Sequence, residues 1–307
     1  MKKRIKQRLI AILLMGAIFS GILANQFCLS AHTPKDESDK SSPTKTSEQR
    51  NININEEHRR MNQEVNLYIN SKQVEATSYL INDTTYVPLR AFCEEVSECT
   101  ISWNNGIASV ESKDMIMKVQ QGSNYIESND RVLYHDNPVL NINSRIYVPI
   151  RTLAKAYSLN VTWNDETKSV YLTGSPKGIV KGKDFYNEED LYWLSRIIHA
   201  ESSGEPLRGK IAVANVIINR KNRSDYPNTI KQVIFDKKYG TQFTPVSNGS
   251  IYNTPNSDSI KAAKIVLDGY SLNTQMIFFL NPKTATNFWI MNNRTFVMKI
   301  GNHAFYK

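Results

Sequence analysis

The chain has 307 residues, 40% of them hydrophobic, and a formal net charge of +9. This length and apolar content allow two or three domains with buried cores and exclude a chain that is disordered throughout. Residues 178–307 hold 17 Lys and Arg against 10 Asp and Glu, so the C-terminal third is basic. Such a charge favours an anionic polymer as the partner.

The first 28 residues have the pattern of an export signal. Five basic side chains and no acidic one come before an uncharged apolar run from Leu9 to Ala24. This run of roughly 16 residues is shorter than the about 20 that a membrane-spanning helix needs. We therefore predict an exported protein in which residues 1–28 are a signal peptide or, if they are not cleaved, an N-terminal membrane anchor. Nucleic acid is not an expected partner of an exported chain.

Two linkers are predicted from composition. Residues 29–63 are almost entirely polar and charged, so they bury too little apolar surface to offset the entropy of ordering. Residues 175–184 begin with Ser175-Pro176, directly after Gly174, and such a composition is typical of a connection between domains. The first linker is predicted to be disordered, and the second separates two domains, residues 64–174 and 185–307.

The first of these domains contains an internal repeat. The motif at Tyr86–Arg90 (YVPLR) returns at Tyr147–Arg151 (YVPIR), and Ile101–Asn104 (ISWN) returns at Val161–Asn164 (VTWN). In each copy Pro begins a short helix, and an alternating hairpin follows it. The sequence therefore predicts a duplicated, β-rich α+β unit.

This pair resembles the copper amine oxidase N-terminal domain family, whose members are accessory domains in exported bacterial proteins. Copper is not expected here, because His135 is the only histidine between residues 64 and 174 and cannot form a ligand cluster by itself. The resemblance implies a role in attachment or positioning. Cys93 is expected to be a buried thiol, and a disulfide to Cys99 is not indicated.

The second domain begins with a helix that ends in a carboxylate. Asn187 can cap its first turn, and Gly204 forbids its continuation. Leu194 and Ile198 recur at helical spacing, and the next position on the same stripe is Glu201. An ionisable side chain therefore occupies a position where the pattern predicts an apolar one.

Two effects are expected to raise the pKa of Glu201. Partial burial disfavours the carboxylate anion, and so does the negative end of the helix dipole. A carboxyl group that stays neutral near pH 7 can act as a general acid. On the pattern alone, the alternative that Glu201 forms a structural ion pair with Arg or Lys stays open.

The remaining patterns predict a mainly helical domain with a small sheet, so the whole chain is expected to be α+β. A second helix begins at Glu205-Pro206 and carries several apolar positions. The other predicted elements are helices at Asn228–Ile234 and Ser257–Leu267, a strand at Met276–Leu280, and a hairpin of Thr295–Ile300 with His303–Tyr306.

Five blocks of this domain resemble the SleB-type cell wall hydrolases, the spore cortex-lytic enzymes. The resemblance covers residues 185–307 and implies a lysozyme-like fold. Where that family has Ala-Arg after its catalytic Glu, this chain has Ser202-Ser203. The missing Arg bears on a local ion pair of the family and not on the Glu itself. The blocks are Leu194–Pro206, Gly209–Arg220, Tyr226–Val233, Gln242–Val246 and Ile300–Lys307.

The resemblance implies a peptidoglycan lytic transglycosylase with Glu201 at the catalytic position. Protonated Glu201 would act on the bond between N-acetylmuramic acid and N-acetylglucosamine, first as acid and then as base, giving 1,6-anhydro ends without a cofactor. The expected substrate is the glycan of spore cortex or vegetative wall, with a role in germination. The expected location is outside the inner membrane.

Three alternatives remain open. A hydrolytic muramidase would use a second carboxylate, but Glu205 lies beyond the helix break, so we assign it a supporting role. A zinc amidase would use His199, Glu201 and His303, although His199 and Glu201 point to opposite sides of a helix. The third alternative is a noncatalytic wall-binding germination accessory protein.

Six further residues are candidate substrate contacts, and each of them also suits an ordinary scaffold. Gln242 and Phe243 offer an amide for an acetamido group and a ring for a sugar face. Asn219 is a polar side chain within an apolar helix and needs a partner. The C-terminal block adds Asn302, His303 and Tyr306.

Overall fold

The computed structural model describes residues 63–238, 240 and 242–307. The predicted signal or anchor (1–28) and all but the last residue of the predicted linker (29–63) lie outside the described residues. Within the described part of the chain, no helix is long and apolar enough to cross a membrane. The described residues combine helices with antiparallel and parallel strands, so the prediction of an α+β chain is confirmed.

The N-terminal part of the described chain is rich in strands, with two short helices. Its elements are β1 (Gln63–Ile69), β2 (Lys72–Gln73), β3 (Ser78–Ile81), β4 (Thr84–Pro88), α1 (Leu89–Val96), β5 (Cys99–Asn104), β6 (Ile107–Ser112), β7 (Met115–Gln120), β8 (Tyr125–Ser128), β9 (Arg131–Tyr134), β10 (Leu140–Ile142), β11 (Arg145–Pro149), α2 (Ile150–Ala156), β12 (Asn160–Asn164) and β13 (Ser169–Thr173).

These strands form two sheets. An eight-stranded sheet has the order β10-β11-β4-β3-β1-β13-β12, with β2 paired to β1, and β5 to β9 form an antiparallel meander. The two predicted hairpins, β5-β6 and β12-β13, therefore lie in different sheets. The difference arises because β6 continues into the meander, whereas β13 pairs in parallel with β1 from the start of the domain.

Both helices and both sheets contribute to one core. Phe92 of α1 and Leu153 of α2 are fully buried and pack with Val110 of the meander. Cys93 is buried in the same cluster, as predicted, and Cys93 and Cys99 are both free thiols. Side chains of both helices therefore pack in the core that the two sheets share.

The segment predicted as a linker at 175–184 is packed against the first domain. The Asn129 side chain donates to the Ile179 carbonyl oxygen at 2.8 Å. A Cβ added at Gly178 would lie 2.5 Å from the Asp114 carbonyl oxygen, and one at Gly182 would lie 2.7 Å from that of Asp130. These glycines allow close backbone contact, so the connection is held in place.

The C-terminal part is mainly helical. Its elements are α3 (Gly182–Phe185), α4 (Glu188–Ser202), α5 (Leu207–Lys221), α6 (Ile230–Ile234), α7 (Thr244–Asn248), a 3-10 helix (Ser250–Tyr252), α8 (Ser257–Leu267), β14 (Phe278–Leu280), α9 (Trp289–Asn293), β15 (Phe296–Ile300) and β16 (His303–Tyr306). The strands form one antiparallel sheet in the order β14-β16-β15.

Most predicted boundaries in this part agree with the structure. The predicted helix over 257–267 is confirmed, and Asn256 caps it by accepting a hydrogen bond from the Ser259 amide at 2.9 Å. The helix predicted from Asn228 begins at Ile230, because Thr229 is the residue that caps it. The short helices α3, α7 and α9 and the 3-10 helix were not predicted.

Helices α4, α5 and α8 pack against one another around a core of Ile, Leu and Ala side chains. Ile198, Ala214 and Ala262 are fully buried in it, and the small alanines allow the helices to approach closely. Val132 of β9 belongs to the same apolar cluster. The core of the C-terminal part therefore extends to a strand of the first domain.

Asp268, just after α8, is the centre of the contact between the two parts. Its side chain is 2% exposed and accepts hydrogen bonds from Arg131 Nε at 2.8 Å and Nη2 at 2.9 Å. Lys155 Nζ lies 2.5 Å from the same carboxylate, and Tyr186 donates to it at 3.3 Å. Burial acts to raise the pKa of Asp268, but the two cations hold it below its usual value.

We predict that Asp268→Ala destabilises the protein strongly. The substitution leaves the Arg131 guanidinium, 8% exposed, without its countercharge. Removal of one partner from a buried ion pair costs about 3–5 kcal/mol in the free energy of unfolding, measured by chemical denaturation. Because the folded-state pKa of Asp268 is lowered, its contribution is present above pH 4 or so and is lost as the pH falls below that.

Asp225→Ala is the matched control, since it removes a carboxylate that pairs with Arg223 on an exposed surface. Its unfolding midpoint should stay at the wild-type value. Equal midpoints for Asp225→Ala and Asp268→Ala would contradict the importance of the buried contact.

Candidate active site

Helix α4 places Glu201 in its last turn, at the border between core and solvent. Asn187 caps the helix by accepting a hydrogen bond from the Asp190 amide at 2.9 Å, as the sequence predicts. Leu194 and Ile198 are fully buried on the stripe that leads to Glu201, which is itself partly buried. The helix that packs the core therefore also positions this carboxyl group.

The Glu201 carboxyl group is largely shielded from solvent and has no countercharge among the described residues. Burial raises its pKa to about 7. Among the described residues, no side chain or amide forms a hydrogen bond or ion pair with it, so the structural ion pair has no partner there. A carboxyl group with this pKa is about half protonated at pH 7 and can both donate and accept a proton.

Lys210 stabilises the corner between α4 and α5. It is 3% exposed, and its Nζ donates to the Ser203 carbonyl oxygen at 3.0 Å and to that of Glu205. These bonds satisfy carbonyl groups beyond the end of α4. The sequence reasoning did not identify Lys210, although a lysine between the glycine at 209 and an apolar run is a signal for a buried cation.

Glu205 has the opposite character to Glu201. It is 8% exposed, and it accepts hydrogen bonds from the Asn302 backbone amide and from Asn302 Nδ2, both at 3.0 Å. Burial acts to raise the pKa of Glu205, but these two bonds hold it below its usual value. Glu205 is therefore an anion that fixes the turn between β15 and β16 against the α4–α5 corner.

His303 follows Asn302 as the first residue of β16 and lies near Glu205. Its ring contacts the Phe279 ring edge-on, with centroids 5.4 Å apart, and its Nδ1 is buried with no partner in the described part of the chain. Burial lowers the pKa of His303, although the charge of Glu205 opposes the shift. The structure thus brings together three predicted residues, Glu205, Asn302 and His303.

The other predicted contacts lie in the scaffold or near it. Asn219 is 6% exposed and donates to the carbonyl oxygens of Asn273 and Met276, both at 2.8 Å, so it holds a loop against α5. Phe243 and Tyr306 are 3% and 5% exposed. Burial of both rings leaves little surface for a sugar, and their role as substrate contacts stays a prediction.

Gln242 and His199 are the two remaining candidates. Gln242 is partly exposed, and its Nε2 donates to the Gly240 carbonyl oxygen at 3.2 Å. His199 Nδ1 accepts from the Asn256 amide at 3.4 Å. Within the described residues, no group of three or more His, Cys, Asp and Glu side chains is arranged to hold a metal ion.

Two protein families match the chain, one in each part. Residues 204–306 match the family described as Cell Wall Hydrolase, in a range that begins just after Glu201. Residues 68–172 match the Copper amine oxidase N-terminal domain. The C-terminal third of the chain is therefore a cell wall hydrolase domain, and a copper amine oxidase N-terminal-like domain precedes it.

Within that class, the C-terminal domain is similar to spore cortex-lytic enzymes. It is 38% identical to the one from Bacillus cereus over 122 residues, which are 40% of this chain and 46% of the relative. It is 34% identical to the Bacillus subtilis enzyme over 120 residues, 39% of this chain and 38% of the relative. The chain thus spans less than half the length of these curated relatives.

Among solved structures, the chain is similar to the catalytic domain of the germination-specific lytic transglycosylase SleB from Bacillus anthracis. Its sequence identity is 37% and its TM-score is 0.37, covering 42% of this chain and 100% of that chain. The catalytic domain of SleB from Bacillus cereus is 38% identical with a TM-score of 0.36, covering 40% of this chain and 92% of that chain.

We predict that Gly301→Ala disrupts the turn that Glu205 holds. A Cβ at this position would lie 1.8 Å from Glu205 Oε2, so the carboxylate must move away from Asn302. Loss of hydrogen bonds to a charged group costs about 1.5–3 kcal/mol of unfolding free energy. Thermal and chemical denaturation measure this loss.

Gly249→Ala controls for backbone strain, because Gly249 also has a positive φ of +81° but has nothing within 4 Å of its added Cβ. Gly301→Ala should be the less stable of the two by the amount given above. Equal stabilities would contradict the role of Glu205.

Proposed function

We propose that residues 185–307 form a lysozyme-like lytic transglycosylase that cleaves peptidoglycan, with Glu201 as its catalytic residue. The observation that carries the proposal is the Glu201 carboxyl group, which is largely shielded from solvent, has no cation beside it among the described residues, and has a pKa of about 7. The names of the similar proteins, spore cortex-lytic enzyme and germination-specific lytic transglycosylase, support the reaction class.

One carboxyl group suffices for both steps of this reaction. Protonated Glu201 donates its proton to the oxygen between N-acetylmuramic acid and N-acetylglucosamine, and the bond electrons pass to that oxygen as an oxocarbenium-like centre develops. The Glu201 carboxylate then takes the proton of the muramic 6-hydroxyl group, whose oxygen bonds to C1. The intramolecular attack gives a 1,6-anhydro end and consumes no water.

Glu205 acts as a positioning residue in this account. Asn302 occupies both of its oxygens, which leaves Glu205 poorly suited to activate water or attack a sugar. Its charge instead fixes the turn that carries Asn302 and His303. We propose that these two residues and Gln242 contact the substrate, and the same role stays a prediction for Asn219, Phe243 and Tyr306, which are buried in the scaffold.

We further propose that the protein is exported and acts on spore cortex or wall, outside the inner membrane, during germination. Residues 64–174 would be a duplicated accessory domain that positions the enzyme, and the N-terminus would supply membrane anchoring if it is retained. The order β4-α1-β5-β6, which matches β11-α2-β12-β13, supports the duplication.

We predict that Glu201→Gln abolishes fragment release from purified spore cortex. The amide cannot donate the proton, and loss of general acid-base catalysis costs about 10²–10⁴-fold in rate. Glu188→Gln makes the same change at the exposed start of the same helix and should leave the rate unchanged. Fragment release by Glu201→Gln at the wild-type rate would refute the role of Glu201.

Mass spectrometry of the fragments tests the reaction type. The proposal requires 1,6-anhydro ends on muramic acid, because the sugar's own hydroxyl group replaces water. Reducing ends, each heavier by one water molecule, would show hydrolysis instead.

The pH dependence of kcat/KM follows from the pKa of Glu201. The first step needs the protonated form, so activity should fall about tenfold per pH unit above pH 7. The test is an initial-rate profile from pH 5 to 9 on soluble glycan strands. A profile that stays flat up to pH 9 is incompatible with Glu201 as the acid.

A further inference from the structure

A cavity of about 750 Å³ lies between the accessory domain and the C-terminal domain. Its lining comes from the β3-β4 hairpin, from β9 and the loop after it, from the start of α2, from the β12-β13 hairpin, and from the end of α8 with the residues just after it. Glu201 is not among the lining residues. The volume is within the range of about 300–1,000 Å³ that is typical of small-molecule sites.

The contacts between the two domains hold this cavity open. Tyr134 and Tyr270, one from each domain, pack with their ring centroids 4.4 Å apart. The Tyr270 hydroxyl group donates to Asp136, and the Arg131 guanidinium binds Asp268 beside them. These contacts between the two domains therefore hold the walls of the cavity in place.

The lining combines a flat ring with charged groups that can form several hydrogen bonds. Trp163 is partly buried, and its Nε1 donates to Asp165 Oδ1 at 3.3 Å, which restrains the indole. Exposed Arg151 and Asp83 also line the cavity. Aromatic faces pack against the C–H groups of a pyranose, and carboxylate and guanidinium groups bond to its hydroxyl groups.

His135 lines the cavity as a neutral ring whose Nε2 is shielded from solvent. Its Nδ1 contacts the Asn137 carbonyl oxygen, and its Nε2 is buried with no partner in the described ranges. Burial lowers the pKa of His135 to about 4, so the ring is neutral at pH 7 and Nδ1 carries the proton. The neutral ring therefore adds no charge to the cavity wall.

We propose that this cavity between the domains is a second glycan-binding site. It would hold a segment of the wall polymer away from Glu201, and the identity of that polymer as peptidoglycan rests on the proposed function. Two binding sites on one chain raise the local concentration of substrate at each of them. The accessory domain would thus keep the enzyme on the wall between cleavage events.

The experiment measures binding of the full chain to insoluble spore cortex peptidoglycan by sedimentation, in a Glu201→Gln background. Trp163→Ala should raise the half-saturating concentration by about tenfold. Trp103→Ala is the matched control, because Trp103 has the corresponding place in the first copy of the repeat, is 54% exposed and does not line the cavity. Equal binding by the two variants would overturn the proposal.

A second pair of variants changes only exposed side chains. Arg151 and Arg90 follow the two Tyr-Val-Pro motifs and are both exposed, but only Arg151 lines the cavity. Arg151→Ala should weaken binding about threefold, as the loss of a hydrogen-bonding group does, while Arg90→Ala leaves it unchanged. The reverse order, or no difference, would contradict the site.

The binding test of the second site and the cleavage test of the proposed function can fail independently of each other. Trp163→Ala with Glu201 intact should cleave short soluble glycan strands at the wild-type rate, and a loss of that rate would contradict a separate site. If the wild-type chain releases no fragments at all, the catalytic proposal fails, whereas the binding comparison stands unchanged.

Discussion

The absence of a countercharge at Glu201, among the residues that the structure describes, is the constraint on which the account depends. Helix α4 buries the carboxyl group at its last turn, and burial alone sets its pKa to about 7. Lys210 is the nearby buried cation, but its hydrogen bonds go to the carbonyl oxygens of Ser203 and Glu205. Lys210 therefore stabilises the corner that follows Ser202, and it does not neutralise the Glu201 carboxyl group.

Three buried carboxyl groups show how partners decide the role of the same chemical group. Glu201 has none among the described residues, and its pKa is raised. Amide donors of Asn302 hold the pKa of Glu205 low, and the cations Arg131 and Lys155 do the same for Asp268. The first suits proton transfer, whereas the other two fix a turn and a domain contact.

The sequence predicted features that depend on neighbours in the chain. Caps and periodicity gave the bounds of α4 and α8, and the buried stripe identified Glu201. Features that depend on distant residues were not predicted: Glu205 meets Asn302 across 97 positions, and Arg131 meets Asp268 across 137. The placement of the two hairpins in separate sheets and the packing of 175–184 are non-local in the same way, because strand partners and close glycine contacts leave no local pattern.

The most direct test of the central claim is the titration of the Glu201 carboxyl carbon by NMR, with the signal assigned by its loss in Glu201→Gln. A carboxyl group that is buried without a cation should titrate with a midpoint near pH 7. A midpoint at or below 4.5, the ordinary value for Glu, would show a solvated or paired carboxylate and would contradict the account.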